Sequence, residues 1–454
     1  MTLTATAPMQ DDIPSPNPSL SPSSDLSLST SSLDHDDHDH DLSETDLDVD
    51  VDIDTDKETL TKLHEKLAHI NNLYTFGEPL FPRSLLASID AQIDKANANA
   101  NAKDREANTN GESKENEETA NERKEVTIPD LDGTPHTYSL RVPTWCADFA
   151  STYRIGYSSI QNLTCIHPSF PEVSLRDSSP VSICYTSCPE NAHRFSGVQV
   201  AQIFEESVVK WEVSATCGDL KESLRGLVEG GKLSRRIRKI VCFGLGSLSA
   251  HLGLVGDEYE FCVGRAHAQH AAVRTMVQVL REAMGMRPWK SEESSGEKGS
   301  ANRNGNGNGH GQGRDPLAMD DDKETEIKCY AQDPAYNETD QALLRSIGIE
   351  PLDDPKGFLA IDEETVVLSV SPNIPVKQIV ADVQWPGAML WNTVCPEERD
   401  GKWEKKVRDG QEFWVVPFTT DPDSQRVRDM VKHYSSVPVQ DSNEYFGDLT
   451  IYVR

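Results

Sequence analysis

The residues of this 454-residue chain best placed to do chemistry begin with Gly244-Leu245-Gly246-Ser247, followed by Ser249. They come directly after the apolar run Ile240-Val241-Cys242-Phe243. Glycine has no Cβ, so such a turn lets a ligand approach the backbone closely. When a helix starts at the turn, its free N–H groups cradle a phosphate. Asp333 closes a second apolar run, Ile327 to Ala331, where dinucleotide folds carry a ribose-binding acid. Ser371 and Asn373 follow a third run, and Asn392 closes a fourth. His270 would be a general acid or base if a partner such as Asp333 came within reach. The candidate ligand-binding set is therefore Gly244, Gly246, Ser247, Ser249, His270, Asp333, Ser371, Asn373 and Asn392. NAD(P) or S-adenosylmethionine would be the cofactors.

Two features argue against that cofactor reading. Ser249 stands where the dinucleotide fingerprint has its third glycine. Eighteen residues also separate Gly246 from Arg265, where the helical pattern begins. A helical turn over 247–252 would partly restore a phosphate cradle. His270 lies on the apolar stripe of that helix with Ala266, Val273, Val277 and Leu280, which suits a satisfied core histidine. His267 shares its side of the helix.

A second group comprises Cys165, His167, Cys184, Cys188 and His193. Zinc sites use tight Cys/His pairs, and one Cys-x3-Cys with scattered histidines is not that pattern. No metal site is expected. A haem sensor using Cys or His is a third class of function. The tract Asp34 to His40 reads as a solvated acidic tail.

The elements that must position these residues alternate along the chain. Strand-like apolar runs at 240–243, 327–331, 349–352, 365–370 and 388–391 are separated by helical patterns at 265–284, 339–347 and 376–383. Gly348 suits a helix C-cap, and Pro375 suits a first helical turn. This alternation predicts a Rossmann-like α/β fold with a doubly wound, mostly parallel sheet. Runs at 414–418 and 449–453 are expected to add strands at its edge.

Around this core, residues 1–56 hold fifteen Asp or Glu and no Lys or Arg, nearly half of the net charge of −31. That composition predicts a disordered acidic tail. A short helical segment is expected at 57–93, a low-complexity linker at 94–125, and a small strand and loop region at 126–199. The α/β domain spans 200–395 with a low-complexity insert at 290–326, and 396–454 is an extension packing on it. Helices are expected near 198–213 and 220–227.

The acidic balance disfavours nucleic acid, which binds basic faces through counterion release. The basic stretch Lys232 to Lys239 reads as a solvated element end. No apolar run reaches the ~18 residues that span a bilayer, and the N-terminus lacks the pattern of a secretory signal. The chain is expected in the cytoplasm, the nucleus or both, with its nine cysteines reduced. Protein partners are expected rather than nucleic acid or membrane.

Lys239 to Ser247 resembles the opening signature of the sensitivity-to-red-light-reduced-like (SRR-like) domain family. Gln269-His270-Ala271 fits its next block, and Tyr330-Ala331-Gln332-Asp333-Pro334-Ala335-Tyr336 a third. Ser371-Pro372-Asn373 stands where many members carry Pro-His-Cys, and Trp391-Asn392 matches the closing block loosely. The resemblance covers about 200–395. It implies a regulatory protein, tied in plants to light signalling and the circadian clock and in animals to control of haem biosynthesis. It implies no settled enzymatic activity, and the departure at 371–373 removes a His and a Cys. The expected function is thus an intracellular regulatory or interaction module. The alternatives are a transferase or oxidoreductase using the 244–249 turn, and a haem-binding sensor.

Overall fold

The computed structural model of the chain describes residues 57–110, 124–148, 150–171, 179–186, 195–250, 257–285, 326–397, 402–408 and 410–454. The acidic tail at 1–56, most of the 290–326 insert, Cys188 and His193 lie outside them.

The centre is a seven-stranded sheet. Its parallel strands are β5 (Lys239–Phe243), β6 (Lys328–Gln332), β7 (Ile349–Pro351), β8 (Thr365–Ser369) and β9 (Ala388–Asn392). Two more strands complete it, β12 (Ser435–Val439) and β13 (Leu449–Val453), running in the order β12-β13-β9-β8-β5-β6-β7. β13 pairs antiparallel with β9 and with β12. The apolar runs are almost wholly buried because both faces of the sheet are covered.

Alternation assigns each strand residue to a face. Ile240, Cys242, Leu368, Leu390 and Ile451 point into one core. That core is covered by α4 (Gly197–Glu212), α5 (Ala215–Glu229), α6 (Asp257–Ala283) and α7 (Glu338–Ser346). Val241, Phe243, Val367, Met389, Trp391 and Tyr452 point into the other. There α8 (Lys356–Leu359), α9 (Val376–Val383) and α10 (Gln425–Val431) pack.

The second core continues into residues 57–186. Helices α1 (Lys57–Thr75) and α2 (Arg83–Asn110) and the hairpins β1 (Glu125–Pro129) with β2 (Pro135–Ser139) and β3 (Thr152–Tyr157) with β4 (Val181–Thr186) form one unit, to which α3 (Ile160–Thr164) belongs. Ile70, Phe81, Leu86, Ile128, Tyr157 and Ile183 are buried in the same cluster as Phe243 and Trp391. Polar anchors reinforce this docking. Asp382 accepts the amides of Leu80 (2.7 Å) and Phe81 (3.1 Å). Arg426 pairs with Asp382 at 2.9 Å and lies over the Tyr74 ring at 4.0 Å. Lys356 bridges Asp90 (2.6 Å) and Asp94 (2.8 Å) of α2.

Four local expectations are corrected. Residues 94–110 are the second half of helix α2, not linker. Alanine at 96, 98, 100 and 102 favours helix, and Ile93 and the Lys356 bridges anchor its start. Helix α6 begins at Asp257, eight residues before Arg265, so the gap after the glycine turn is shorter than the periodicity implied. No helical turn forms over 247–250. The run at 414–418 does not join the sheet: β11 (Gln411–Val415) pairs with β10 (Glu404–Arg408) in a separate, mostly exposed hairpin. The strand at 449–453, by contrast, sits inside the sheet next to β9.

Candidate functional site

In open α/β sheets ligands bind beyond the carboxyl ends of the strands, where the strand order reverses. Here the order runs β5-β6-β7 to one side and β8-β9 to the other, so the reversal lies between β5 and β8. Gly244 (φ 67°) and Gly246 (φ 78°) leave β5 in the left-handed region that favours glycine. At Gly244 space adds a second constraint. A Cβ there would lie 2.8 Å from Pro372 Cα and 3.0 Å from the Val370 carbonyl oxygen, so the exits of β5 and β8 touch. Gly246 is roomier, its nearest neighbour being Ala266 Cβ at 3.6 Å.

The turn is tied down by two carboxylates. Asp333, after β6, accepts the Gly246 amide at 2.8 Å and the Ala335 amide at 2.9 Å. Burial pushes its carboxyl above the ordinary value, and the two amides pull it back. Asp340, fully buried in the first turn of α7, accepts the Ser249 amide (2.7 Å), the Ser247 hydroxyl (2.8 Å) and the Asn337 amide (3.1 Å). Asn337 returns the favour by accepting the Asp340 amide (2.9 Å) and the Ser249 hydroxyl (3.2 Å), a capping box. The Gly246 and Ser249 amides, which would face a bound phosphate, thus already donate to carboxylates of the same chain.

The histidines are satisfied as well. His270 Nδ1 lies 2.7 Å from the Ala266 carbonyl and so carries the proton. Its Nε2 accepts from the Tyr336 hydroxyl at 2.8 Å. Desolvation lowers His270 to about 4 and holds the Tyr336 hydroxyl well above its ordinary value. His267 donates through Nε2 to the Leu248 carbonyl at 2.9 Å, and burial lowers its pKa. His267 therefore braces the end of the glycine turn at Leu248, while His270 braces Tyr336, both rings in neutral form.

The fold brings Gly244, Gly246, Ser247, Ser249 and Asp333 into one cluster. Ser371 and Asn373 are exposed on the loop that packs against Gly244. His270 approaches the cluster only through Tyr336, whose amide donates to the Asp333 carbonyl at 3.2 Å. Asn392 lies elsewhere, donating to the Asp448 carbonyl at 3.2 Å where β9 meets β13.

Sequence reasoning missed three groups at this edge. Asp340 is one, although Asn337 followed three residues later by an acid is a readable cap signature. The second is Asp354, which accepts from the Tyr157 hydroxyl (2.6 Å) and the Gln332 amide nitrogen (2.9 Å) and is pushed up to about 7 by burial. The third is buried Lys377 with Asp421 and Asp423. Burial alone would lower the Lys377 ammonium, but the two carboxylates hold it above its ordinary value, while burial raises Asp421 to about 6. Among the described residues no group of three or more His, Cys, Asp or Glu could hold a metal ion. His167 packs tilted against Phe170 and edge-to-face against Trp403, ring centroids 5.2 and 4.9 Å away. No helix among the described residues is long and apolar enough to cross a membrane.

Residues 219–453 match the model of a family described as the SRR1 domain, more than half of the chain. The match reaches past residue 395 and takes in the last two strands of the sheet, β12 and β13. No curated protein and no solved structure matches the chain.

Proposed function

We propose that this chain, which belongs to the SRR1 domain family, is an intracellular regulatory and interaction protein. On this reading its family domain is a Rossmann-like, doubly wound scaffold that does not take a nucleotide cofactor at the 244–249 turn. One observation carries the reading. The Gly246 and Ser249 amides are spent on Asp333 and Asp340, and two carboxylates in those positions would repel a phosphate. An intracellular setting is supported by Cys242 and Cys329, free thiols buried in neighbouring strands. The family resemblance points to light-linked or circadian signalling, or to control of haem biosynthesis, as the processes served. Protein partners fit an acidic chain better than nucleic acid does.

The reading is tested by calorimetric titration of the full chain with NAD(P), S-adenosylmethionine and haem. It expects none of them to bind at the turn. Binding of NAD(P) or S-adenosylmethionine that Gly246→Val abolishes would establish the cofactor enzyme instead. Haem binding indifferent to that substitution would point to a sensor with a Cys or His ligand elsewhere.

A further inference from the structure

A row of five residues crosses the carboxyl edge of the sheet on the face covered by the N-terminal unit. In register it runs Thr450, Trp391, Ser369, Phe243, Gln332, across β13, β9, β8, β5 and β6. The polar ends of the row are satisfied. Thr450 shares a hydrogen bond with Thr393 at 2.7 Å. Gln332 donates to Asp354 at 2.9 Å and accepts the Gly357 amide at 2.7 Å. The middle is not. Ser369 and Trp391 are each about 1 % exposed, and among the described residues neither Ser369 Oγ nor Trp391 Nε1 has a hydrogen-bond partner. Folded chains rarely leave such groups orphaned, and these two stand on adjacent strands. Ser369 ends β8, beside the point where the strand order reverses, and Trp391 stands on the next strand out, at the junction of two packed units, where ligand sites concentrate.

We propose that Ser369 and Trp391 are the paired hydrogen-bonding groups of a ligand site for a small, neutral molecule bearing a carbonyl-type oxygen, such as a carboxamide. The indole N–H can only donate, and the serine hydroxyl can donate, so the missing group is an acceptor. The two residues stand on neighbouring strands, which lie ~4.8 Å apart, and so belong to one site. The ligand is neutral because the buried Lys377 is already paired with Asp423 and the buried Arg428 donates to the Asp423 carbonyl, so a buried anion would draw its compensation away from these pairings. This site is separate from the glycine turn and stands or falls independently of the reading above.

The test uses the full chain, wild type, Ser369→Ala and Trp391→Phe, melted with millimolar nicotinamide, acetamide or nicotinate. The carboxamides should raise the wild-type Tm, nicotinate should not, and both substitutions should abolish the rise. Without ligand, Ser369→Ala should melt no lower than wild type, since it removes an orphaned hydroxyl. No rise with either carboxamide, or a rise that survives in Ser369→Ala, overturns the proposal. A ligand-free Ser369→Ala melting several degrees lower also overturns it, because the hydroxyl would then be satisfied by internal water. Should Trp391→Phe fail to fold, Ser369→Ala alone decides.

Discussion

Gly246 and Asp333, 87 residues apart, are joined by a 2.8 Å hydrogen bond from the glycine amide to the carboxylate. The acid at the end of β6 thereby fixes the turn at the end of β5. In a dinucleotide fold both groups would face the ligand; here they face each other.

The two glycines of the turn differ in what they tolerate. Gly244→Ala would push a Cβ to within 2.8 Å of Pro372 Cα, against backbone with no flexible end to yield. Gly246→Ala meets only Ala266 Cβ at 3.6 Å. Both incur the left-handed backbone cost of roughly 1 kcal/mol, and Gly244→Ala adds an overpacking cost of about 1 to 3 kcal/mol. Urea melts should rank Gly244→Ala as the more destabilised. Equal midpoints would show that β5 and β8 do not touch as described.

Asp354 gives stability a pH dependence of definite sign. Its folded-state pKa is raised from 3.8 to about 7, so between those values the folded chain holds a proton that the unfolded chain has lost. Its contribution therefore stabilises at low pH and fades as pH rises towards 7. Asp421, raised to about 6, acts in the same sense. His270, lowered to about 4, acts oppositely as pH falls below 6.5. Comparing wild type with Asp354→Asn isolates the Asp354 contribution. The wild type should lose Tm relative to the variant between pH 5 and pH 8, on the order of a few degrees. A wild type that gains on the variant over that range would contradict the burial of Asp354.

The N-terminal unit is held to the family domain by Asp382 and Arg426. The Asp382 side chain is 5 % exposed and accepts two amides besides the guanidinium. Asp382→Ala should destabilise by about 3 to 5 kcal/mol, the cost of breaking a buried pair from one side. Arg426→Lys should recover little, because one ammonium cannot reproduce a fork that also reaches the Tyr74 carbonyl (2.6 Å) and stacks on its ring. Guanidinium denaturation checks both. A loss below ~1 kcal/mol for Asp382→Ala would mean that the unit is only loosely attached.

The central strands were legible in the sequence because a parallel strand buried on both faces is a continuous apolar run, and Ile240–Phe243, Thr365–Val370 and Ala388–Trp391 are such runs. Val376–Val383 was legible because Pro375 marks its start and its apolar residues keep helical spacing. The docking of the N-terminal unit was not, since its contacts join residues far apart in the chain, as Tyr157 and Asp354 do. The 94–110 helix was hidden by an Asn/Ala composition that resembles linker. At the site, the glycines and Asp333 were found as a set, but their mutual bond was not. Spacing shows which residues reach the sheet edge, while only folded geometry shows a carboxylate accepting an amide that a ligand would otherwise take.

Amide hydrogen exchange across residues 244–250 tests that substitution most directly. In the wild type without ligand, the Gly246 and Ser249 amides should exchange slowly, because Gly246 donates to the partly buried Asp333 and Ser249 to the fully buried Asp340. Asp340→Ala should release Ser249, and added NAD(P) should change neither rate in the wild type. Fast exchange of both amides in the free protein, slowed by NAD(P), would contradict the account, because the turn would then be an open cradle awaiting a phosphate.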